Sequence, residues 1–222
     1  MDEISRVTRS KEEARAAYDA LSGWYDLLAG ESEQRFKEQG LRMLGVQIGE
    51  TVLEIGFGTG RSLLALARSV GKSGKVYGID ISPGMYRLSQ SLLCKADLAD
   101  RVKLKIGDAA VLPFPSESIN AIFISFTLEL FDTPEIPIVV AECRRVLHPG
   151  GRICVVSMTQ KEGANTMIIL YEWVHRALPS WVDCRPIRAQ LFLKEAGFEI
   201  LEIREQSMWG LPVEILLAKR PA

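Results

Sequence analysis

From Thr51 onward the apolar positions follow two alternating rhythms. Runs rich in β-branched residues at 51–55, 75–80 (KVYGID), 101–106, 119–126 (INAIFISF) and 151–158 (GRICVVSM) predict strands. Apolar residues three and four apart over 60–70, 83–95 and 134–147 predict helices. Ser82 is placed to cap the second of these, with Pro83 in its first turn. Gly150 and Gly151 are read as ending the third. Strands that are apolar throughout and alternate with helices form a parallel sheet covered on both faces. The last two strands, 198–206 and 213–219, are joined by Ser-Met-Trp-Gly-Leu-Pro. That link is too short for a crossover helix, so the pair is antiparallel. The chain is therefore α/β, with a seven-stranded, mostly parallel sheet whose last strand is reversed. Two segments stand outside the alternation: two helices over 10–46, and an insertion over 159–186 with a helix over 164–178.

Composition narrows the function classes. The 222 residues have an apolar fraction of 47% and a charged fraction of 25%, as in a globular domain. The 27 basic and 28 acidic residues leave a net charge of -1, which draws the protein neither to nucleic acid nor to an anionic membrane. Cys94, Cys143, Cys154 and Cys184 are scattered and only two histidines exist, so no metal site is expected. Unclustered cysteines fit reduced thiols and a cytoplasmic location. The start, Met1 to Arg6, lacks the apolar run of a signal peptide, and no stretch has eighteen successive apolar residues.

The chemistry concentrates at Thr51–Arg61, TVLEIGFGTGR, where a strand opens into a glycine loop before a helix. Such a loop offers backbone N–H groups to a ligand. A dinucleotide fold asks for G-x-G-x-x-G, its third glycine letting helix and strand pack closely. Here the glycines are Gly56, Gly58 and Gly60, and Arg61 stands at the position the dinucleotide pattern reserves for glycine. Glu54, inside the strand, is costly unless paired. It would repel a pyrophosphate and attract an ammonium. S-adenosylmethionine (AdoMet) carries an ammonium and a sulfonium and no phosphate. Asp80 ends the second strand, where a carboxylate can accept from both ribose hydroxyls; that role suits NAD equally. Ile81 and Met85 are apolar groups able to flank an adenine. Asp108 either accepts from the adenine amino group or caps its own turn.

The stretches VLEIGFGTG, GIDISPGM, GDAAVLPFP and ECRRVLHPGG, in this order and spacing, resemble the class I AdoMet-dependent methyltransferases. The branch most similar includes the ubiquinone/menaquinone C-methyltransferases (methyltransferase type 11) and bacterial phospholipid N-methyltransferases. The likeness covers residues 15–158 well and the remainder more loosely. It implies a Rossmann-like fold, AdoMet as cofactor and S-adenosylhomocysteine as product. It implies that Glu54, Gly56, Phe57, Gly58 and Gly60 hold the methionine end and that Asp80 holds the ribose. Ile81, Met85, Asp108 and Ala109 would surround the adenine, and Ser125 and Phe126 would lie near the sulfonium. Where relatives carry Phe-Asp at the start of strand four, this chain has Ile119-Asn120. Strand four ends in SFTLEL, without the Asn/Asp-Pro-Pro-aromatic stretch of DNA-base methyltransferases.

The resemblance further implies an N-terminal helical lid over residues 1–46 and a core over 47–222, with the insertion 159–186 on the substrate side. Tyr18 and Tyr25, two helical turns apart, either share a face toward the methionine carboxylate or pack as core aromatics. Methyl transfer needs positioning more than an acid or base, so no catalytic residue is fixed by the sequence. His175 and Glu129 are candidates, each also readable as an ordinary helix residue. The insertion's large apolar side chains either pack on their neighbours or line a pocket for a small or lipid-like acceptor: quinone, phospholipid or aromatic metabolite. Peripheral membrane contact is compatible with such an acceptor. Arg185 either meets an anionic group there or pairs with Asp183 or Glu172. Two other readings stay open: a protein that binds AdoMet without transferring methyl, and an NAD-linked oxidoreductase.

Overall fold

Strand 119–125 shows how the sheet is made. Its even positions Ile122 and Ile124 join one apolar cluster and its odd positions Ala121 and Phe123 join another, all of them 0% exposed. Side chains that alternate across a pleat, apolar on both sides, bury a strand between two layers. A computed structural model describes residues 10–21, 30–160 and 185–222. Its strands are β1 (Thr51–Ile55), β2 (Lys75–Asp80), β3 (Val102–Ile106), β4 (Ile119–Ser125), β5 (Leu147–Met158), β6 (Glu199–Met208) and β7 (Leu211–Lys219). They form one sheet in the order β3-β2-β1-β4-β5-β7-β6. Pairs from β3 to β5 are parallel, and β7 runs antiparallel to both β5 and β6. The expected seven-stranded sheet with a reversed final strand is what the chain forms.

The helices are α1 (Lys11–Leu21), α2 (Gly30–Leu44), α3 (Arg61–Ser69), α4 (Pro83–Lys95), α5 (Ile136–Val146) and α6 (Ala189–Glu195). Helices α2, α3 and α4 cover one face through Phe36, Leu44, Leu63, Leu66, Met85 and Leu93. On the other face α5 and α6 bury Val139, Val140, Cys143, Phe192 and Leu193. Ser82 caps α4 as expected, its Oγ accepting from Met85 N at 3.1 Å. The two N-terminal helices are held differently. Helix α2 lies flush on the sheet: a Cβ on Gly40 would come within 2.7 Å of Val156 Cγ2 and 2.9 Å of Phe123 Cε2. Helix α1 is tied by polar contacts at its two ends. Lys11 Nζ bridges Asp108 Oδ2 at 2.5 Å and Glu135 Oε1 at 2.6 Å. Asp19 Oδ1 accepts from Ser82 Oγ at 2.6 Å and from Gly84 N at 2.7 Å, at the start of α4.

Three local readings are corrected. Gly150 and Gly151 do not end α5, because Leu147 is already extended and begins β5. Residues 148–151 instead loop out between the pairings Ile119↔Leu147 and Ala121↔Arg152 and bond to Arg220. The six-residue link before the last strand shrinks to a two-residue turn, since Ser207↔Pro212 and Met208↔Leu211 continue the ladder. Trp209 and Gly210 both have positive φ, 53° and 85°, as a type I′ hairpin demands. Helix α6 went unforeseen, although Ala189, Phe192 and Leu193 stand at helical spacing. Asn120, the departure noted above, accepts from Thr51 N at 2.8 Å and so anchors the start of β1. No helix among the described residues is long and apolar enough to cross a membrane.

Candidate functional site

Connections leave β1 toward β2 on one side and reach β4 on the other, so the loops at the carboxyl ends of β1 and β4 part company. Open α/β sheets bind ligands in the crevice this creates. The loop after β1 is shaped by its glycines. Gly56 has φ 70° and donates to Ile79 O at 2.8 Å. A Cβ there would lie 2.2 Å from Thr127 Oγ1, so the loop and the segment after β4 touch at a point that leaves no room for a side chain. Gly58, at φ 51°, is the reverse case: nothing lies within 4 Å of a Cβ built on it. Its open side is where a ligand can approach backbone. Its N–H donates to Asp80 Oδ2 at 2.9 Å, and its carbonyl accepts from Ser89 Oγ at 2.7 Å.

Asp80 ends β2 and also accepts from Ser82 N at 2.9 Å. It thus locks the loop after β1 to the start of α4. A carboxylate has about four acceptor sites; with the backbone of Ile81 also bonded to it, three are engaged and one remains for a ligand's hydroxyl. Burial raises its pKa, against the pull of those backbone bonds.

Glu54 is 1% exposed in the middle of the sheet. Burial pushes its carboxyl well above the ordinary range, with the neighbouring Asp80 acting the same way and Lys37 and the Ser62 hydroxyl opposing. Its Oε2 is buried without a hydrogen-bond partner. Acid oxygens are seldom left so in an interior. A cationic ligand group next to the open glycine would satisfy it, and the ammonium of AdoMet is such a group. The loop and Glu54 therefore fit that cofactor.

The other expected residues divide. Phe57 is 3% exposed and its ring packs beneath the loop, near Gly78, leaving only its backbone at the surface of the site. Met85 and Ala109 are buried, in opposite faces of the core, and Ile81 is half-buried. Asp108 caps its own turn, its Oδ1 accepting from Ala110 N at 2.9 Å, while its Oδ2 holds Lys11. Across the parting, Ser125 and Phe126 are buried at the end of β4. Phe126 has φ 49°, a conformation costly for a bulky residue. It is held there by its N–H to Val156 O at 2.8 Å and by Phe36, whose ring meets it edge-on at 6.3 Å. Backbone strain of this kind clusters at functional sites. Glu129 follows in a 3-10 turn, Leu128–Leu130, and is wholly buried. Arg185 is also buried, its guanidinium donating to Phe131 O at 2.7 Å and Thr133 Oγ1 at 3.1 Å. Tyr18 lies in α1, its side chain outside the described set; Tyr25, His175 and the insertion helix lie outside the described residues.

Several participants were not foreseen. Lys37, on α2, brings a positive charge to Glu54, pairs with Glu33 at 2.8 Å and lies 5.9 Å above the Phe126 ring. Only the fold brings it there. Ser62, one residue inside α3, was within reach of a closer reading, because the first turn after the glycine loop must face the strand it left.

A family model described as a methyltransferase domain matches residues 52–151. The demethylmenaquinone methyltransferase of Geobacillus sp. (strain WCH70) is 31% identical over 219 residues, covering 90% of this chain and 91% of that protein. The ubiquinone/menaquinone biosynthesis C-methyltransferase UbiE of Marinomonas sp. (strain MWYL1) is 28% identical over 179 residues, 81% of this chain and 69% of that one. In the alignment with the demethylmenaquinone methyltransferase of Geobacillus kaustophilus (strain HTA426), 33% identical over 155 residues, the chain covers 70% of itself and 64% of the relative. Among solved structures, an AdoMet-dependent methyltransferase from Aquifex aeolicus superposes with a TM-score of 0.66 at 22% identity, covering 92% of this chain and 97% of that one. The [4+2]-cyclase SpnF superposes with a TM-score of 0.78 at 18% identity, covering 96% and 98%. These two likenesses speak to the fold. Taken with the alignment over nine-tenths of a demethylmenaquinone methyltransferase, they lead to one conclusion: the chain belongs to the class I AdoMet-dependent methyltransferases.

Proposed function

We propose that this protein transfers the methyl group of AdoMet to a hydrophobic, quinone-like small molecule. The observation that carries the reading is the buried, unpartnered Oε2 of Glu54, four residues before the open backbone of Gly58. That pair suits a ligand with an ammonium and no phosphate. The acceptor class is supported by the names of the relatives, which act on demethylmenaquinone or in ubiquinone and menaquinone biosynthesis. Those names also favour transfer over silent AdoMet binding, and the loop's spacing disfavours NAD.

In this reading Glu54 takes the ammonium and the backbone of residues 56–60 lines the methionine end. Asp80 receives a ribose hydroxyl. Ile81, Met85, Asp108 and Ala109 border the adenine, and Ser125 and Phe126 lie toward the sulfonium. The family resemblance assigns residues 1–46 to the cover of the cofactor, a role supported by the polar ties of α1 to Asp108 and Ser82, and assigns the insertion 159–186 to the acceptor side. When bound, AdoMet supplies a methyl group already activated by its sulfonium. The chain's work is to hold an acceptor in line with it and to keep water out. A cytoplasmic location is part of this proposal and is supported by the dispersed cysteines.

The test is an anaerobic assay with methyl-labelled AdoMet and 1,4-naphthohydroquinone, its product read by mass spectrometry. A labelled, methylated naphthohydroquinone is the expected result. Binding of NAD without binding of AdoMet, or AdoMet binding with no label reaching any quinol, phenol or lipid acceptor, defeats the proposal.

A further inference from the structure

One buried acid on the β4 side takes no part in holding the cofactor. Glu129 is 0% exposed, three residues beyond the strained Phe126. Its Oε1 accepts from Met158 N at 3.2 Å. Its Oε2 is buried with no hydrogen-bond partner. Glu54 is buried in the same way with an unpartnered Oε2; Glu33 and Glu214 also bury an oxygen that has no hydrogen-bond partner, the first held by Lys37 and the second on β7 beside Ser157. Glu54 stands inside β1, one residue before its end, on the cofactor side, and Glu129 follows β4. A buried carboxyl oxygen without a partner asks for one.

We propose that Glu129 is the general base of the reaction, its Oε2 taking the hydroxyl proton of a hydroxyaryl methyl acceptor. The inference rests on the methyl-transfer reading above and specifies its acceptor as one bearing a phenol-type O–H.

The surroundings suit that role. Among the described residues, Glu33 faces Glu129 from α2 and Arg185 faces it from the segment before α6. Glu33 is itself paired with Lys37 at 2.8 Å. Burial is the main influence on Glu129 and lifts its pKa to about 8; the bonds from its own backbone and Met158 and the charge of Arg185 work against the rise, and Glu33 adds to it. A phenol titrates near 10, so the two groups lie about two pH units apart and a proton can pass between them. An isolated carboxylate of ordinary acidity would be a much poorer match.

The step balances as follows. The acceptor's hydroxyl proton moves to Oε2 of ionised Glu129. The electron-rich oxygen, or the ring carbon beside it, forms a bond to the methyl carbon. The carbon–sulfur bond breaks with its electron pair passing to sulfur, which becomes a neutral thioether. If carbon is the site, that carbon's proton then passes to solvent and the ring oxygen takes one up, which restores the aromatic hydroxyl. Glu129 returns its proton to solvent. No oxidant or reductant is consumed.

Glu129→Gln is the direct test, because an amide imitates the protonated carboxyl and can keep the bond to Met158 N. With 1,4-naphthohydroquinone as probe, wild-type kcat/KM should rise about tenfold per pH unit up to a pKa near 8. In Glu129→Gln it should fall roughly 10²- to 10³-fold and lose that limb. AdoMet affinity by calorimetry should stay at the wild-type value, and the thermal midpoint should match wild type at about pH 4, where both side chains are neutral, and exceed it above pH 8. Glu129→Asp, which keeps a carboxyl one methylene shorter, should be slower and retain the limb. A Glu129→Gln enzyme that keeps the limb overturns the inference, as does a rate loss matched by an equal loss of AdoMet affinity. A measurement without turnover separates this from the parent reading. The infrared C=O band of the protonated carboxyl, identified by its absence in Glu129→Gln, should disappear when wild type is saturated with the probe. A band unchanged by the probe overturns the base role. A responsive band in a protein that transfers no methyl upholds it while defeating the proposed reaction.

Discussion

Glu54→Gln isolates the charge on which cofactor recognition turns. The substitution keeps size and shape and removes only the ability to ionise. In the free protein the carboxyl is 1% exposed and burial holds its proton to higher pH than usual. An arriving ammonium reverses that preference: the acid ionises, Oε2 gains its partner and a proton is released. One hydrogen bond to a charged group is worth about 1.5–3 kcal/mol, so the variant should bind AdoMet roughly 10- to 150-fold more weakly. Stability should move the other way. A folded-state pKa above the unfolded value means that the folded protein binds more protons across the window between them. Stability is then full below the ordinary carboxylate range and is lost as pH rises through the raised value. Glutamine abolishes that loss, so the variant should match wild type at about pH 4 and exceed it near pH 9. Calorimetry in two buffers of different ionisation enthalpy counts the released proton, and thermal melts across pH follow stability. AdoMet affinity within twofold of wild type, with the same proton release, would refute the reasoning.

Two further substitutions separate the fold's needs from the ligand's. Gly58→Ala places a methyl in open space at φ 51°, so it should cost about 1–2 kcal/mol of stability and a larger share of AdoMet affinity. Gly56→Ala drives a methyl to 2.2 Å from Thr127 Oγ1 and should cost roughly 2–5 kcal/mol of stability, read by denaturant unfolding. Asp80→Asn should weaken AdoMet by about 1–3 kcal/mol. The same change should hardly affect a 2′,3′-dideoxy analogue; an equal loss for both ligands would show that Asp80 acts only by pinning Gly58 and Ser82.

The sheet was legible because Val52, Leu53, Ile122 and Val155 are buried on both faces, and such strands read as unbroken apolar runs. The glycine loop was legible because its spacing is a backbone requirement written in one residue type. The hairpin was not. Trp209 occupies a left-handed position that normally selects Asn or Gly, so the turn lacks its usual signature. Nor were the site's charges legible. Lys11 meets Asp108 across 97 residues of chain, and Arg152 reaches Glu50 across 102. Such pairs exist only once the layers are stacked. Even Glu54, marked out as unusual by its place in a strand, disclosed the upward push on its pKa only when its burial was known.

The contact between Gly56 and Thr127 has a consequence for how such a chain can change. It is a seam. On one side, β1 to β3 carry the loops for a reagent whose shape is the same in every reaction. On the other, under the proposed reaction, β4 and β5 lead to Glu129 and to whatever is to be modified. New chemistry can be written on the second side while the first is left intact, provided the backbone at the seam keeps its close fit. A residue larger than glycine there would push the two workshops apart, and a reagent held correctly would then sit out of reach of its target.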